Sequence, residues 1–294
     1  MFTCFVRILF IVVCIGISAV CRAADDGAPA PIRYGKPRQL ATLENDKISE
    51  SSGLAVSRRY RDIFWTHNDS GDTARIFAFD KSGRQRGECR IAGAKAVDWE
   101  DIASFKLSGK PYLLIADTGD NARTRESCEL YLIDEPDLGN RTVPLVQTIR
   151  FRYADGPHDC EAVAVDTARR QILLVTKVAG LQCQLFELPL PRTQLRETLV
   201  AKEIAKPPVT LATAMDISLD GRRAIVLSHF GFAQEFTRAG DEPWSTTMNR
   251  PGRRIELPKR KQGESICFGA DGQTIYLTSE LTPTPLWEVP VEEK

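Results

Sequence analysis

The feature that most constrains the fold of this chain is a unit that recurs five times, with a spacing of about fifty residues. Each copy has a strand of small residues, a turn, a very apolar strand, a polar turn and a third strand. The copies begin ESSGLAVS (Glu50), DWEDIASF (Asp98), DCEAVAVD (Asp159), TAMDISLD (Thr213) and QGESICFG (Gln262). Repetition at this period, with scarcely any 3.6-residue periodicity, predicts an all-β protein, a β-propeller of four-stranded blades.

The two ends of the repeat array predict how the ring closes. The fifth copy ends with its third strand near Val291, whereas an unassigned strand, Arg38 to Leu43, precedes the first copy. We therefore expect the N-terminal strand to complete the last blade, which removes the open edges of the sheet. The prediction is five blades in one domain over residues 37–294. A six-bladed ring with a degenerate repeat and two packed β-sandwiches are the alternatives.

The first 23 residues have the pattern of a signal peptide. Arg7 precedes an apolar run from Ile8 to Val20, and Cys21-Arg22-Ala23 ends in the small-x-small pattern of a cleavage site. The run is too short for a membrane span, which needs about 20 residues. We predict cleavage after Ala23, a flexible segment over 24–36, and a secreted or periplasmic monomer without a membrane span.

Charge and cysteine content exclude some partners. Cleavage would remove two of the 39 basic residues and none of the 39 acidic ones, so a nucleic-acid partner is not expected. Five cysteines would remain, without a CxxC motif, which disfavours a zinc cluster and permits one or two disulfides. Cys89 on an outer strand and Cys128 in the next copy are the candidate pair.

The repeat topology brings two sets of polar residues to one rim of the ring, because the first strand of a blade begins where the second strand ends. The residues at the openings of the first strands are Glu50, Asp98, Glu100, His158, Asp159, Glu161 and Glu264. Those at the ends of the second strands are His67, Asn68, Asp69, Asp117, Asp120, Asn121, Lys177, His229 and Glu280. Together they predict an acidic pocket at the ring axis that contains all three histidines.

Clustered carboxylates repel one another, and a bound cation would relieve the repulsion. The turns DSGD and DTGDN resemble cation-binding loops, so Asp69, Asp72, Asp117 and Asp120 are the candidate metal ligands. Oxygen ligands favour calcium or magnesium, and we take Ca²⁺ as the expected ion. The histidines leave room for a transition metal.

The leading hypothesis is an exported propeller that binds a small polar ligand, with a divalent cation, at this pocket. The predicted ligand-binding residues are Glu50, Asn68, Asp98, Asn121, Asp159, Lys177, His229, Glu264 and Glu280. An alternative is a hydrolase of glycosides or phosphoesters, in which Glu100 and Glu161 form an acid/base pair and His67 or His158 assists. A third is a protein-interaction scaffold whose carboxylates only tie the blades together. The sequence leaves open whether the protein is an enzyme.

Departures from the repeat affect the pocket as well. The fourth copy, aligned by its aspartate, has Met215 where other copies have Glu100, Glu161 and Glu264. We therefore expect the pocket to be charged on most sides and open near the fourth blade.

Several motifs together resemble a known family. They are E-S-S-G-L-A, W-T-H-N-D-S-G-D, D-W-E-D-I-A, A-D-T-G-D-N-A-R-T-R, D-G-P-H-D-C-E-A, L-V-T-K and Q-G-E-S-I, between Glu50 and Ile266. The combination resembles a largely uncharacterised family of secreted bacterial β-propellers, often labelled only WD40-like. The E-x-S-G-L opening is loosely similar to esterase-like phytase-associated propellers. That likeness implies ester or phosphoester hydrolysis, for which the sequence offers no nucleophile motif.

Overall fold

The computed structural model describes residues 27–180 and 182–292. The predicted signal peptide, residues 1–23, lies outside the described residues. Within them the secondary structure consists of twenty strands and one short helix, α1 (Trp244–Thr247). No described helix is long and apolar enough to cross a membrane.

The strands form five antiparallel groups of four, here called units 1 to 5. Unit 5 includes the first strand of the chain, β1 (Arg38–Thr42), which pairs with the last strand. Unit 1 contains β2 (Ser51–Val56), β3 (Ile63–Asn68), β4 (Arg75–Asp80) and β5 (Gln85–Ala92). Unit 2 contains β6 (Trp99–Leu107), β7 (Lys110–Asp117), β8 (Cys128–Asp134) and β9 (Thr142–Tyr153). Unit 3 contains β10 (Cys160–Asp166), β11 (Gln171–Thr176), β12 (Leu185–Pro189) and β13 (Leu199–Ala205). Unit 4 contains β14 (Ala212–Ile217), β15 (Arg223–Ser228), β16 (Phe232–Thr237) and β17 (Arg253–Glu256). Unit 5 contains β18 (Gln262–Phe268), β19 (Ile275–Glu280), β20 (Pro285–Val289) and β1.

The first strand of each unit lies innermost. Each of these five strands packs against the next, and β18 packs against β2. Their residues are small because five strands converge on one centre: β2 carries a Ser-Ser-Gly run, and β10 and β14 carry alanines. Parallel pairing of β5 with β9 and of β9 with β13 adds contacts between the outer strands of units 1 to 3.

The hydrophobic core is divided into clusters between successive units. Trp65 of unit 1 and Trp99 of unit 2 belong to one cluster. Phe64 of unit 1 and Leu286 of unit 5 belong to another, so the last unit shares a core with the first. Sheets stacked face to face around a centre are the architecture of the β-propeller class, as the sequence predicted.

The described cysteines are buried free thiols, so the candidate Cys89–Cys128 disulfide is not formed. Cys89 lies in the core between units 1 and 2, whereas Cys128 lies in the core between units 2 and 3. The sheet of unit 2 therefore separates the two sulfur atoms. The sequence placed them in neighbouring units but could not show which face each one occupies.

Candidate functional site

Every inner strand begins with a β-bulge, an irregularity that the sequence pattern did not reveal. In each case the inner strand has one more residue than the second strand with which it pairs. The residues displaced at the five bulges are Ser52, Glu100, Glu161, Thr213 and, with Gly263, Glu264. A bulge bends its strand and re-aims a side chain. Three of the five bulges therefore present a glutamate at the same end of the inner strands.

The bulge corrects the sequence alignment of the fourth unit. Matching the aspartates placed Met215 beside the glutamates, but the bulged residue of β14 is Thr213. Met215 instead packs in the core between units 3 and 4. Unit 4 contributes no carboxylate at this level, because Thr213 takes the place that a glutamate has in three other units.

Five carboxylates from three units meet around Glu100. Its side chain belongs to two groups, one with Asp69 and Asp98 and one with Asp159 and Glu161. Within each group, one oxygen of every carboxylate lies within 4.8 Å of the others. Glu100, Asp159 and Glu161 are buried, whereas Asp69 and Asp98 are half-buried. We call these five residues the axial carboxylates.

Lys177, at the end of β11, is the positive charge closest to this group. Its Nζ lies 2.6 Å from Oε1 and 2.5 Å from Oε2 of Glu161. Glu161 is therefore held as one half of an ion pair. Glu100 receives no comparable side-chain donor within the described part of the chain.

Burial raises the pKa of each inner carboxyl, and neighbouring negative charges raise it further. Burial and then Glu161 raise the pKa of Glu100 well above its ordinary value. The pKa of Glu161 rises to about 8, because burial outweighs the opposing effect of Lys177. Asp98 has a pKa of about 6, raised first by burial and next by Asp69. Burial therefore favours the neutral forms of Glu100 and Glu161 near neutral pH when no cation is bound.

A second acidic group lies beside the first, on units 1 and 5. Glu280 has a pKa of about 8, raised by burial and then by Glu264. Glu264 accepts a hydrogen bond from Nδ1 of His229 at 3.0 Å, and Gln262 donates to Glu280. Glu50 forms a β-bridge with Glu280, and burial raises its pKa too.

Three of the four predicted metal ligands form ion pairs or hydrogen bonds with other groups of the described structure. Asp72 pairs with Arg75 at 2.8 Å, and Asp117 pairs with Arg125 at 2.8 Å. Asp120 accepts hydrogen bonds from backbone N–H groups of its own turn. These turns look like cation loops in sequence because aspartates also cap tight turns.

Two amides were also predicted as ligand contacts. The carbonyl of Asn68 accepts the N–H of Glu50 at 3.1 Å, and its amide donates to Lys47 and Asp72. Asn121 is exposed on the turn that follows β7.

The histidines lie in different environments. His67 is fully buried against Trp99, and Nδ1 of its ring lies 2.9 Å from the Asn68 carbonyl. Burial lowers its pKa. His158 bonds to Asp155 at 2.9 Å and packs on Tyr153. Among the described residues, neither ring forms a hydrogen bond with Glu100 or Glu161.

Sequence reasoning missed two aspartates that tie the inner strands together, the buried Asp101 and the half-buried Asp216. One oxygen of Asp101 accepts the N–H groups of Val163 at 2.8 Å and Met215 at 3.1 Å, from β10 and β14. Asp216 likewise accepts the N–H of Phe268, from β18, at 2.8 Å. The available signal was an aspartate inside a strand that is otherwise small and apolar.

Comparisons with known proteins place the chain only distantly. No protein-family model and no curated protein matches it. Among solved structures, a gluconolactonase from Xanthomonas campestris, described as important in glucose secondary metabolic pathways, is similar with 13% sequence identity and a TM-score of 0.48. The similarity covers 88% of this chain and 87% of that chain.

Proposed function

We propose that the protein is an exported five-bladed propeller that binds a divalent cation at the axial carboxylates and, beside it, a small polar ligand. Five hydrophobic clusters, each between consecutive units, support the blade count. Pairing of β1 with β20 supports closure of the ring by the N-terminal strand.

The observation that carries the cation proposal is the spacing of the carboxylate oxygens around Glu100. Oxygens on opposite sides of a Ca²⁺ ion lie roughly 5 Å apart, since each is 2.3–2.6 Å from the ion. The oxygens of Asp69, Asp98 and Glu100 lie within 4.8 Å of one another, which suits this separation. Binding would remove the mutual repulsion of these carboxylates.

The position of Lys177 favours cation binding at the carboxylate group that does not contain Glu161. It contacts both oxygens of Glu161, so a cation there would compete with an ammonium group. Asp69, Asp98 and Glu100 lack such a competitor, and the first two are half-buried rather than buried. We therefore assign the ion to these three residues. The Lys177–Glu161 pair remains available to orient a polar ligand.

Calcium titration tests the assignment. Calcium added to chelator-treated protein is expected to raise the melting temperature of the wild type and not that of Glu100→Gln. The matched control is Asp155→Asn, which removes an exposed acid bonded to His158 and outside the axial carboxylates. A wild-type protein that contains no metal and melts identically with calcium and with chelator would refute the proposal.

A hydrolase acting through a carboxylate pair is the second candidate, and one observation favours it. Burial raises the pKa of both glutamates, and the ion pair with Lys177 opposes that rise only at Glu161, so Glu100 is the candidate acid and Glu161 the candidate base. Chromogenic glycosides and phosphoesters are the substrates to screen. Equal turnover by wild type and Glu161→Gln would exclude that carboxylate from the mechanism.

A further inference from the structure

The side chain of Arg260 has hydrogen-bond donors that the fold leaves unused. Its Nη1 donates to the carbonyl of Thr278 at 3.0 Å. Its Nε and Nη2 are buried and have no acceptor among the described residues. The guanidinium lies against Gly263, where an added Cβ would come within 2.5 Å of the Arg260 Cζ. A side chain at this position would force the guanidinium to shift.

A buried guanidinium with unpaired donors lowers the stability of the fold unless another group accepts its hydrogen bonds. Buried charged groups are normally paired, and a buried donor without an acceptor indicates a missing water or ion. Burial lowers the pKa of Arg260 to about 10, against the opposing effect of Glu264. Glu264 forms no ion pair with it in the described structure and bonds instead to His229.

Arg260 lines a cleft on the rim, beside unit 5, with a volume of about 250 Å³. The other lining residues are His229, Phe230, Gly231, Leu257, Lys259, Lys261, Gln262 and Gly263. Two lysines and one arginine make the lining basic, and no lining residue is acidic. Phe230 is 66% exposed and supplies an apolar wall. The cleft is small enough to suit an ion or a compact ligand.

We propose that Arg260 anchors a binding site for an oxyanion, the carboxylate or phosphate group of a small molecule. The Nε and Nη2 hydrogens of a guanidinium form the edge that two oxygens of such a group can contact together. Lys261 also lines the cleft and adds positive charge there. The site is distinct from the axial carboxylates and does not depend on a cation bound there.

Calorimetric titration with inorganic phosphate, and separately with acetate, tests the site in chelator-treated protein. Arg260→Gln is expected to weaken binding at least about tenfold, since charge-assisted pairs are the strong ones. Arg260→Lys, which keeps the charge and loses the planar edge, should be intermediate. If phosphate and acetate bind with different affinities, the tighter ligand identifies the oxyanion that fits the site.

Two further variants keep the test informative if Arg260→Gln fails to fold. Lys261→Gln should weaken binding about twofold or more, whereas Lys110→Gln, an exposed lysine paired with Asp134 at the other end of a unit, should not. Glu264→Gln should strengthen binding because it removes a negative charge beside the cleft.

Three results would overturn the inference. One is phosphate and acetate both failing to bind the wild type at millimolar concentration. Another is equal affinity in Arg260→Gln and wild type. The third is binding that requires calcium, which would place the anion on the cation and leave the proposed cation site intact.

Discussion

Replacing Asp101 by alanine is expected to destabilise the protein by about 2–6 kcal/mol. One oxygen of Asp101 accepts the N–H groups of Val163 and Met215, which belong to two other inner strands. Alanine would leave both donors buried without an acceptor, at about 1–3 kcal/mol each. The loss affects contacts between units rather than within one sheet, so it should lower the stability of the whole domain.

Two comparison variants separate the acceptor from the charge. Asp101→Asn keeps one oxygen for Val163 and Met215 and loses only the bond to Ile102, so it should cost less than half as much as alanine. Burial raises the pKa of Asp101, and the neutral amide avoids the cost of burying its charge. Asp271→Ala removes an exposed acceptor of turn N–H groups, and water replaces it at a cost below about 1 kcal/mol.

Urea unfolding followed by fluorescence gives the three free energies under one condition. We expect Asp101→Ala to lose the most free energy of unfolding, Asp101→Asn less, and Asp271→Ala the least. If Asp101→Ala loses no more stability than Asp271→Ala, the aspartate does not tie the units together.

Three other perturbations test the acidic pocket and the packing beneath it. Folded pKa values of about 8 for Glu161 and Glu280, above their ordinary 4.5, mean that the folded protein binds more protons between these limits. The melting temperature of the chelator-treated protein should therefore fall from pH 6 to pH 8.5. Glu280→Gln should make this fall less steep. A wild-type melting temperature that does not change with pH would contradict the raised pKa values. Thr213→Glu adds a fourth glutamate at a bulge, and it should lower the melting temperature without calcium and raise it with calcium. If neither melting temperature changes, the bulges do not share one pocket. Gly53→Ala would place a Cβ 2.6 Å from Nε2 of His67 and 2.8 Å from the backbone nitrogen of Ile102, and should cost about 1–3 kcal/mol in urea unfolding. Wild-type stability would mean that both the ring and the backbone of β6 can move aside.

The repeats predicted the fold class because the periodicity of the strands and the length of the repeated unit can both be read from the amino-acid sequence. The run Arg38 to Leu43 was placed outside the five copies, and it forms β1 in the structure. The meeting of Glu100 and Glu161 also followed from topology, since residues at equivalent positions of a repeat reach equivalent positions in space.

The rest depended on backbone detail that has no clear sequence signal. The bulge marks Thr213 as the structural equivalent of the glutamates, so the fourth copy was aligned two positions from its structural match. Asp216 was matched with Asp101, but it lies deeper along its strand and ties a different pair of units. His67 was assigned to the rim by its position at a strand end, although its ring packs inward against Trp99.

The pairing of β1 with β20 has a consequence for how the protein is made. The first strand of the domain has no partner until the last one leaves the ribosome, because they stand at opposite ends of the chain. During synthesis its edge can pair with strands of other chains. A variant that lacks β20 would leave the edge of β1 unpaired permanently. The extent of its aggregation would measure how much the pairing of β1 with β20 contributes to solubility.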